Sequence, residues 1–575
     1  MLDVLFVTPT LTRDPLKEPL GPVTLSTILR QEQISVEILS FGMLGDPHKD
    51  YSAFFQKGIQ MILEKQPKIL SFYTRCDCYH IMLLMAEQIK EKLGCYIVFA
   101  GPQADIIATE TLEEIPWVDY ICRGEGENTV YPFFASLLKG EPDLSVDGLV
   151  FRSDGEVKSN PRPEFIKDLD VLPIPDFSVV PGEVRVDPKT CFSIDVGRGC
   201  PFGCTYCSTK TFWGRKYRLK SPERIVREVK HFSELYGLKY FAFEHDMFTM
   251  DRKRVLEVCR MLRELDGGIR WNCSARVDCI DEEMVQAMAD SGMRWIYLGI
   301  ETGSPRMQKL INKNLKLETV LPMIRFLSSL NIGVATSFIY GFPQETYGDL
   351  SQTLALMIDL MNIKNVQINY HLCAFLPGTA LGEEYGDRLT PAEVHSDQAG
   401  DIGVVECEDF MKRHPRLFLQ YKEYRTELRS KAAYFTTFLN VFNSLKPAYL
   451  YYARQYDREN MIQMYLDFVE DYKEILTAQE RISENEKVSR IIASDKFAKR
   501  FAHLPLAARA EDVIHWEATR RSVQRGAVPS ATQILSFHPG DLQTCGSLEE
   551  IKDAWTMVTV ARDKDGMVQT FVRRM

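Results

Sequence analysis

The chain has 575 residues, 45% of them hydrophobic and 26% charged, the proportions of a globular protein of three or four domains. Its net charge of -10 argues against nucleic acid as a general partner. No apolar run reaches the length of a membrane span. The opening Met1-Leu-Asp-Val-Leu-Phe-Val-Thr-Pro9 reads as a strand rather than an export signal, so the 14 cysteines are expected as reduced thiols in a cytoplasmic setting.

Residues 1–140 alternate short apolar runs with helical spacing. Strands are predicted at Leu2–Val7, Val36–Ser40, Ile69–Tyr73, Tyr96–Ala100 and Tyr120–Cys122, with helices between them and a last one over Asn128–Leu138. That alternation predicts an α/β domain, a doubly wound parallel sheet of Rossmann-like type whose ligands sit at the carboxyl ends of the strands. Residues 141–190 are rich in Pro and Asp and read as a linker with a small hairpin over Gly148–Lys158. Strand–helix alternation resumes over 191–400, with six strands predicted to begin at Cys191, Tyr240, Arg270, Trp295, Gly333 and Val366. Six βα units are too few for a closed eight-stranded barrel and predict a partial (β/α)6 barrel. Residues 401–575 read as a mostly helical domain, with helices over Leu417–Asn443, Tyr449–Glu474 and Ala478–Ile492 and a terminal β-hairpin turning at Asp563–Gly566. Its many Tyr and Phe residues suggest a substrate-binding cap. No internal repeat is present.

One short stretch carries the chemistry: Gly199-Cys-Pro-Phe-Gly-Cys-Thr-Tyr-Cys-Ser208, with the spacing C-x3-C-x2-C. A cubane iron–sulfur cluster takes one thiolate per iron, so three thiolates leave one iron open to a substrate. A zinc knuckle needs a fourth Cys or His at finger spacing, and the next histidine is His231. The stretch resembles the radical S-adenosylmethionine (radical SAM) superfamily, Tyr206 standing where that superfamily usually places an aromatic. The resemblance implies that Cys200, Cys204 and Cys207 hold a [4Fe-4S] cluster whose open iron chelates SAM and cleaves it to a 5'-deoxyadenosyl radical. An oxygen-sensitive cluster further implies an anaerobic or protected setting and an electron donor of flavodoxin or ferredoxin type.

Further segments at predicted strand ends extend the resemblance. Asp246, with Glu244, is expected to accept from the SAM ammonium, Asp246 having the alternative of ordering its loop and Asp251 that of capping the next helix. Arg276 is expected to pair with the SAM carboxylate. Glu301 is expected on the ribose or amine, with Ser304 at the following turn. Gly341 and Pro343, in Tyr340-Gly-Phe-Pro-Gln-Glu345, are expected beside adenine.

The amino-terminal domain resembles the cobalamin-binding domain fused to many radical SAM enzymes, through Glu18-Pro-Leu-Gly-Pro-Val-Thr24, Ala100-Gly-Pro-Gln-Ala104 and Arg123-Gly-Glu-Gly-Glu127. The resemblance implies cobalamin contacts from Gly21, Ser71, Tyr73, Gly101, Pro102, Gln103, Gly124 and Glu125. The D-x-H-x-x-G cobalt-ligand motif is absent, and His48 reads as a loop residue. A doubly wound scaffold without cobalamin is the alternative. Cys76 and Cys78 form a C-x-C pair with either a packing or a catalytic role.

Together these features imply a cobalamin-dependent radical SAM C-methyltransferase acting on a peptide or other natural-product intermediate, with no nucleic acid or membrane partner. A non-methylating cobalamin radical SAM enzyme and a non-catalytic binding subunit are the alternatives. The intact cysteine triad argues against the second. Methylthio transfer is disfavoured, since the amino-terminal domain has no set of three cysteines for a second cluster.

Overall fold

The computed structural model describes residues 2–574 other than 183, 185, 187–189, 266, 393–395, 397, 398, 433, 478–483, 495, 505, 506, 525–529, 538–552 and 563–567. The chain divides into two compact units: Met1–Leu298 with Ile311–Lys313 and His371–Tyr424, and Gly299–Leu310 with Asn314–Tyr370 and Arg425–Met575. Among the described residues no helix is long and apolar enough to cross a membrane.

The first unit opens with a seven-stranded sheet of order β2-β1-β3-β4-β5-β6-β7. Strands β1 (Val4–Thr8), β2 (Val36–Ser40), β3 (Ile69–Tyr73), β4 (Tyr96–Ala100) and β5 (Tyr120–Cys122) are parallel. Every residue of β1 is buried, as a strand covered on both faces requires. Alternate side chains go to opposite faces: Leu5 and Val7 join a core with α2 (Tyr51–Lys65) and α3 (Tyr79–Lys92), while the Phe6 ring stacks on Phe134 of α6 (Val130–Leu138), which packs with α1 (Leu20–Gln31). Short helices α4 (Pro102–Ile106) and α5 (Ala108–Glu114) follow β4. The expected doubly wound domain is therefore present. Its hairpin, β6 (Leu149–Ser153) and β7 (Glu156–Ser159), is not a separate linker element: β6 pairs antiparallel with β5, placing Tyr120 opposite Phe151.

The order places β1 between β2 and β3, so the connections leave β1 on opposite sides and open a crevice at the carboxyl ends of β1 and β3. A strap over residues 401–424 closes the α2–α3 side. Phe410, Met411, Leu417, Phe418 and Tyr421 bury in that core, and Gln420 donates to the carbonyl of Cys76 at 2.9 Å. Residues 401–424, expected in the carboxyl-terminal domain, thus pack with the amino-terminal sheet, because their apolar side chains find cover there.

A six-stranded sheet of order β15-β14-β13-β12-β11-β8 carries the expected partial barrel: β8 (Cys191–Asp195), β11 (Tyr240–Glu244), β12 (Arg270–Ala275), β13 (Met293–Glu301), β14 (Gly333–Tyr340) and β15 (Val366–Leu372). In β8 and β11, Phe192, Ile194, Phe241 and Phe243 are buried, while the alternating Cys191, Ser193, Asp195, Tyr240 and Ala242 are partly exposed and Glu244 is exposed. A two-strand ladder, β9 (Gly197–Arg198) and β10 (Arg218–Leu219), pairs antiparallel and frames the cysteine stretch, with α7 (Thr209–Trp213) between. Asp251 caps the helix that follows β11, accepting from Arg254 N at 3.1 Å, as the alternative reading of that residue expected.

In the second unit the predicted long helices are broken. Leu417–Asn443 resolves into the strap and helices Glu427–Ala432 and Phe435–Ser444, and Tyr449–Glu474 into Lys446–Ala453 and Ile462–Leu476. Seven of the region's aromatic residues serve the core: Phe435, Phe438, Tyr449, Tyr452, Tyr465, Phe468 and Phe497 are buried and pack ring on ring. The terminal hairpin gains a third strand, Ser530–Phe537 pairing with Asp553–Arg562 and that with Val568–Arg574. Its turn at 563–566 and the predicted helix start at 478 lie outside the described residues.

Candidate active site

The cysteine stretch leaves β9 through Gly199, whose φ is +86° and where a Cβ would collide with the carbonyl of Lys216, just ahead of β10. Only glycine fits that neck. Cys207 N then donates to Cys204 O at 3.3 Å, closing a tight turn around Tyr206, and Thr205 N donates to Ile311 O at 3.0 Å. Asn312 Nδ2 donates to Gly203 O at 2.8 Å, so the loop is pinned from the segment 311–313.

Cys200, Cys204 and Cys207 are each partly buried, and none of the described cysteines is in a disulfide. Burial, then the neighbouring charges of Cys207, Asp246 and Cys204, push the Cys200 thiol up to about 11, and burial raises Cys207 as well. Among the described residues no three His, Cys, Asp or Glu side chains converge tightly enough for a single metal ion. A cubane has no need of that convergence, since it spreads its thiolates over three different irons. Three thiols on one tight loop are the donor set that a cubane with one open iron takes.

Asp246 and Arg276 come to this loop. Thr209 donates to Asp246 Oδ1 at 3.2 Å, and the protein packed around the carboxylate raises its pKa. Arg276 is buried with its guanidinium 3.9 Å from the centre of the Phe202 ring, inside the cysteine loop. Its Nε and Nη2 grip Asp278 at 2.9 and 2.8 Å and Nη2 also reaches Lys313 O, while Nη1 is buried with no partner. Much of the expected carboxylate fork is thus taken by Asp278, and Nη1 is the donor left for a ligand.

Glu301, Ser304, Gly341 and Pro343 belong to the second unit. Glu301 is buried at φ +70°, a left-handed conformation rare for a residue with a side chain, and Ser337 donates to its Oε2 at 3.4 Å. Held strain of this kind gathers at ligand sites. Ser304 is occupied structurally: its hydroxyl donates to Asp349 at 2.5 Å and accepts from Met307 N. Gly341, at φ +81°, donates its N–H to Glu345 Oε2 at 2.6 Å, which fixes the turn carrying the partly buried Pro343. Burial, first, and then the charge of Asp349 push Glu345 up to about 8.

In the amino-terminal sheet Gly21, Tyr73 and Gly101 meet at the ends of β3 and β4. A Cβ on Gly101 would lie 3.1 Å from the Tyr73 ring and one on Gly21 3.8 Å from it. Gly101, at φ +94°, is further required by Thr74, whose backbone N and O would stand 2.8 Å from that Cβ. Ser71 is buried in β3 opposite Val98, and Pro102 starts α4. Three other expected contacts are engaged elsewhere. Gln103 Nε2 donates to Leu417 O in the strap at 3.3 Å. Gly124 N donates to Asp105 at 2.8 Å and its α-carbon faces Pro163. Glu125 is buried in ion pairs with Arg198 and Arg218. Cys78 is buried and bonded to Arg75 O, and burial lifts both its thiol and that of Cys76, so the pair lacks the depressed pKa of a reactive thiol and Cys78 has a packing role.

Sequence reasoning quoted Glu18 without assigning it a role. It is buried in the crevice, accepts from Thr8 at 2.5 Å, keeps Oε1 without a hydrogen bond, and burial raises it to about 7. The signal was available: an acid inside an otherwise apolar segment after the first strand.

Residues 194–357 match the Radical SAM superfamily. Over 370 residues the chain is 28% identical to an uncharacterized methyltransferase of Pyrococcus horikoshii, covering 64% of this chain and 78% of that protein. Over 345 residues it is 28% identical to an anaerobic magnesium-protoporphyrin IX monomethyl ester cyclase of Rubrivivax gelatinosus, covering 58% of this chain and 61% of that one. Its fold is similar to that of the cobalamin-dependent S-adenosylmethionine radical enzyme OxsB, with a TM-score of 0.57 at 16% identity over 92% of this chain and 81% of the other. The chain therefore carries a radical SAM domain, built on the fold of a cobalamin-dependent radical SAM enzyme.

Proposed function

We propose that the chain is a cobalamin-dependent radical SAM C-methyltransferase. The observation that carries the proposal is the framed loop of three thiols, with Asp246 and the buried Arg276 against it, in one compact unit with the doubly wound sheet. Cys200, Cys204 and Cys207 would hold a [4Fe-4S] cluster, and the crevice at Gly21, Tyr73 and Gly101 would receive cobalamin. When bound, the cluster supplies the electron that cleaves SAM and methylated cobalamin supplies a methyl group for an unactivated carbon.

The chain's own residues bind and orient. Arg276 offers Nη1 to the SAM carboxylate, and Asp246 offers its carboxylate to the SAM ammonium. The half-exposed inner face of β8, β11 and β12 surrounds the substrate, a peptide or other natural-product intermediate, and limits its access to water. An electron donor of flavodoxin or ferredoxin type completes the system.

A second reading is favoured by the cyclase among the relatives: a non-methylating radical outcome such as ring formation. Anaerobic reconstitution with iron, sulfide, SAM and cobalamin separates the two. Methyl transfer gives 5'-deoxyadenosine with S-adenosylhomocysteine and a product heavier by one methylene. Ring formation gives 5'-deoxyadenosine without S-adenosylhomocysteine. A reduced protein that forms no 5'-deoxyadenosine overturns both.

A further inference from the structure

Both ends of the cysteine loop are tied to one carboxylate of the amino-terminal sheet. Ahead of the loop, Arg198 stands two residues before Cys200 and donates Nη1 to Glu125 Oε1 at 2.8 Å and Nη2 to Glu127 at 2.5 Å. Asp195 lies 3.3 Å from the same guanidinium. Opposite Arg198 in the β9–β10 ladder, Arg218 donates Nη1 to Glu125 Oε2 at 2.9 Å. Beyond the loop, Trp213 at the end of α7 lies under both guanidinium groups, each 5.7 Å from its ring centre. Glu125 also accepts from Ile166 N at 2.7 Å. Burial alone would raise Glu125; the bonds from Arg218 and Arg198 outweigh it and hold the carboxyl below its ordinary range.

Glu125 belongs to the loop between β5 and α6, one of the strand-end loops of the doubly wound sheet. The neighbouring strand-end element makes a second contact: α4 packs against α7, and Gly378, whose carbonyl accepts from Thr211, lies against Ile106. A buried ion pair contributes little net stability over an apolar replacement, whereas fixing one geometry against another is its best-attested use. We propose that Glu125 is a positioning residue: through Arg198, Arg218 and Trp213 it fixes the neck of the cysteine loop to the strand-end loops of the amino-terminal sheet. The consequence for a cluster rests on the cofactor reading above; the positioning of the thiols does not.

The test compares Glu125→Gln, which keeps shape and removes charge, with Glu228→Gln, which removes a buried carboxylate held by Lys220 and Arg224 rather than by Arg198 and Arg218. In Glu125→Gln protein with native circular dichroism, iron of the reconstituted cluster is held about 10- to 100-fold more weakly against a chelator. The electron paramagnetic resonance signal of its reduced cluster shifts, while Glu228→Gln keeps the wild-type values. Folded Glu125→Gln with wild-type iron retention and signal overturns the proposal. If Glu125→Gln does not fold, Arg218→Lys reads the same signature, and an unchanged signature again overturns it. A wild-type chain that holds no cluster overturns the cofactor reading instead. Alkylation of Cys200, Cys204 and Cys207 in the metal-free chain then decides positioning: faster in Glu125→Gln supports it, equal rates overturn it.

Discussion

His80 Nε2 lies 2.8 Å from the carbonyl oxygen of Ile402, joining α3 to the strap. A carbonyl only accepts, so Nε2 carries the proton, and Nδ1 faces the Tyr421 hydroxyl at 3.4 Å, itself committed to Ala399 O. The ring is fully buried and neutral, and burial lowers its pKa to about 4 despite the opposing charge of Asp77.

A pH dependence follows. The folded pKa is depressed below the ordinary 6.5, so charging His80 opposes folding. Its neutral form supports the fold fully above pH 6.5, and that support is lost as pH falls toward 4, by about 3 kcal/mol in all. His80→Gln keeps a donor for Ile402 and removes the titration. Urea unfolding from pH 7.5 to 4.5 is expected to show a shallower fall in stability for the variant, and parallel curves would sink the assignment.

Glu345 gives the opposite sign. Its pKa is raised to about 8, so the stability tied to its protonated form is complete below pH 4.5 and disappears as pH rises through 8. Glu345→Gln keeps an acceptor for Gly341 N and cannot ionise. The variant is expected to melt with the wild type at pH 4 and increasingly above it from pH 6 to pH 9. A variant whose melting runs parallel to the wild type from pH 4 to pH 9 would show that Glu345 titrates in the fold as it does in the unfolded chain, and would sink the assignment.

Gly199→Ala tests the neck of the cysteine loop. The substitution imposes left-handed backbone strain of about 1–2 kcal/mol and drives a methyl into the Lys216 carbonyl. Because the clash is local, iron uptake on reconstitution is expected to fall well before the global melting temperature does. Equal iron uptake by both proteins would mean that the neck relaxes freely.

The features legible in the sequence are those encoded locally. Strand β1 is apolar throughout because both its faces are covered, and the cysteine spacing displays its three thiols within ten residues. Long-range partnerships carry no such mark. Glu125 reads as part of a glycine loop, yet its arginines stand 73 and 93 residues away. Phe410, Leu417, Phe418 and Tyr421 have helical spacing that states only that they need cover, not that the amino-terminal sheet provides it. Tyr449, Tyr452 and Tyr465 look equally suited to a binding surface and a core, and burial decides for the core.

Arg276→Lys isolates the geometry of the SAM carboxylate site. The guanidinium holds Asp278 with two nitrogens, reaches Lys313 O, stacks on Phe202 and leaves Nη1 over. An ammonium keeps the charge and loses the planar fork, so it cannot serve Asp278, Lys313 and a ligand carboxylate in the same directions. Loss of the stacking alone removes about 0.5–2 kcal/mol of the attachment between Arg276 and the cysteine loop. The expected result is a higher Kd for SAM measured by equilibrium dialysis on cluster-loaded protein, with iron content per chain near the wild-type value. A wild-type SAM affinity in Arg276→Lys would assign the carboxylate to another donor and leave Arg276 the structural tasks of holding Asp278 and Lys313 O and bracing Phe202.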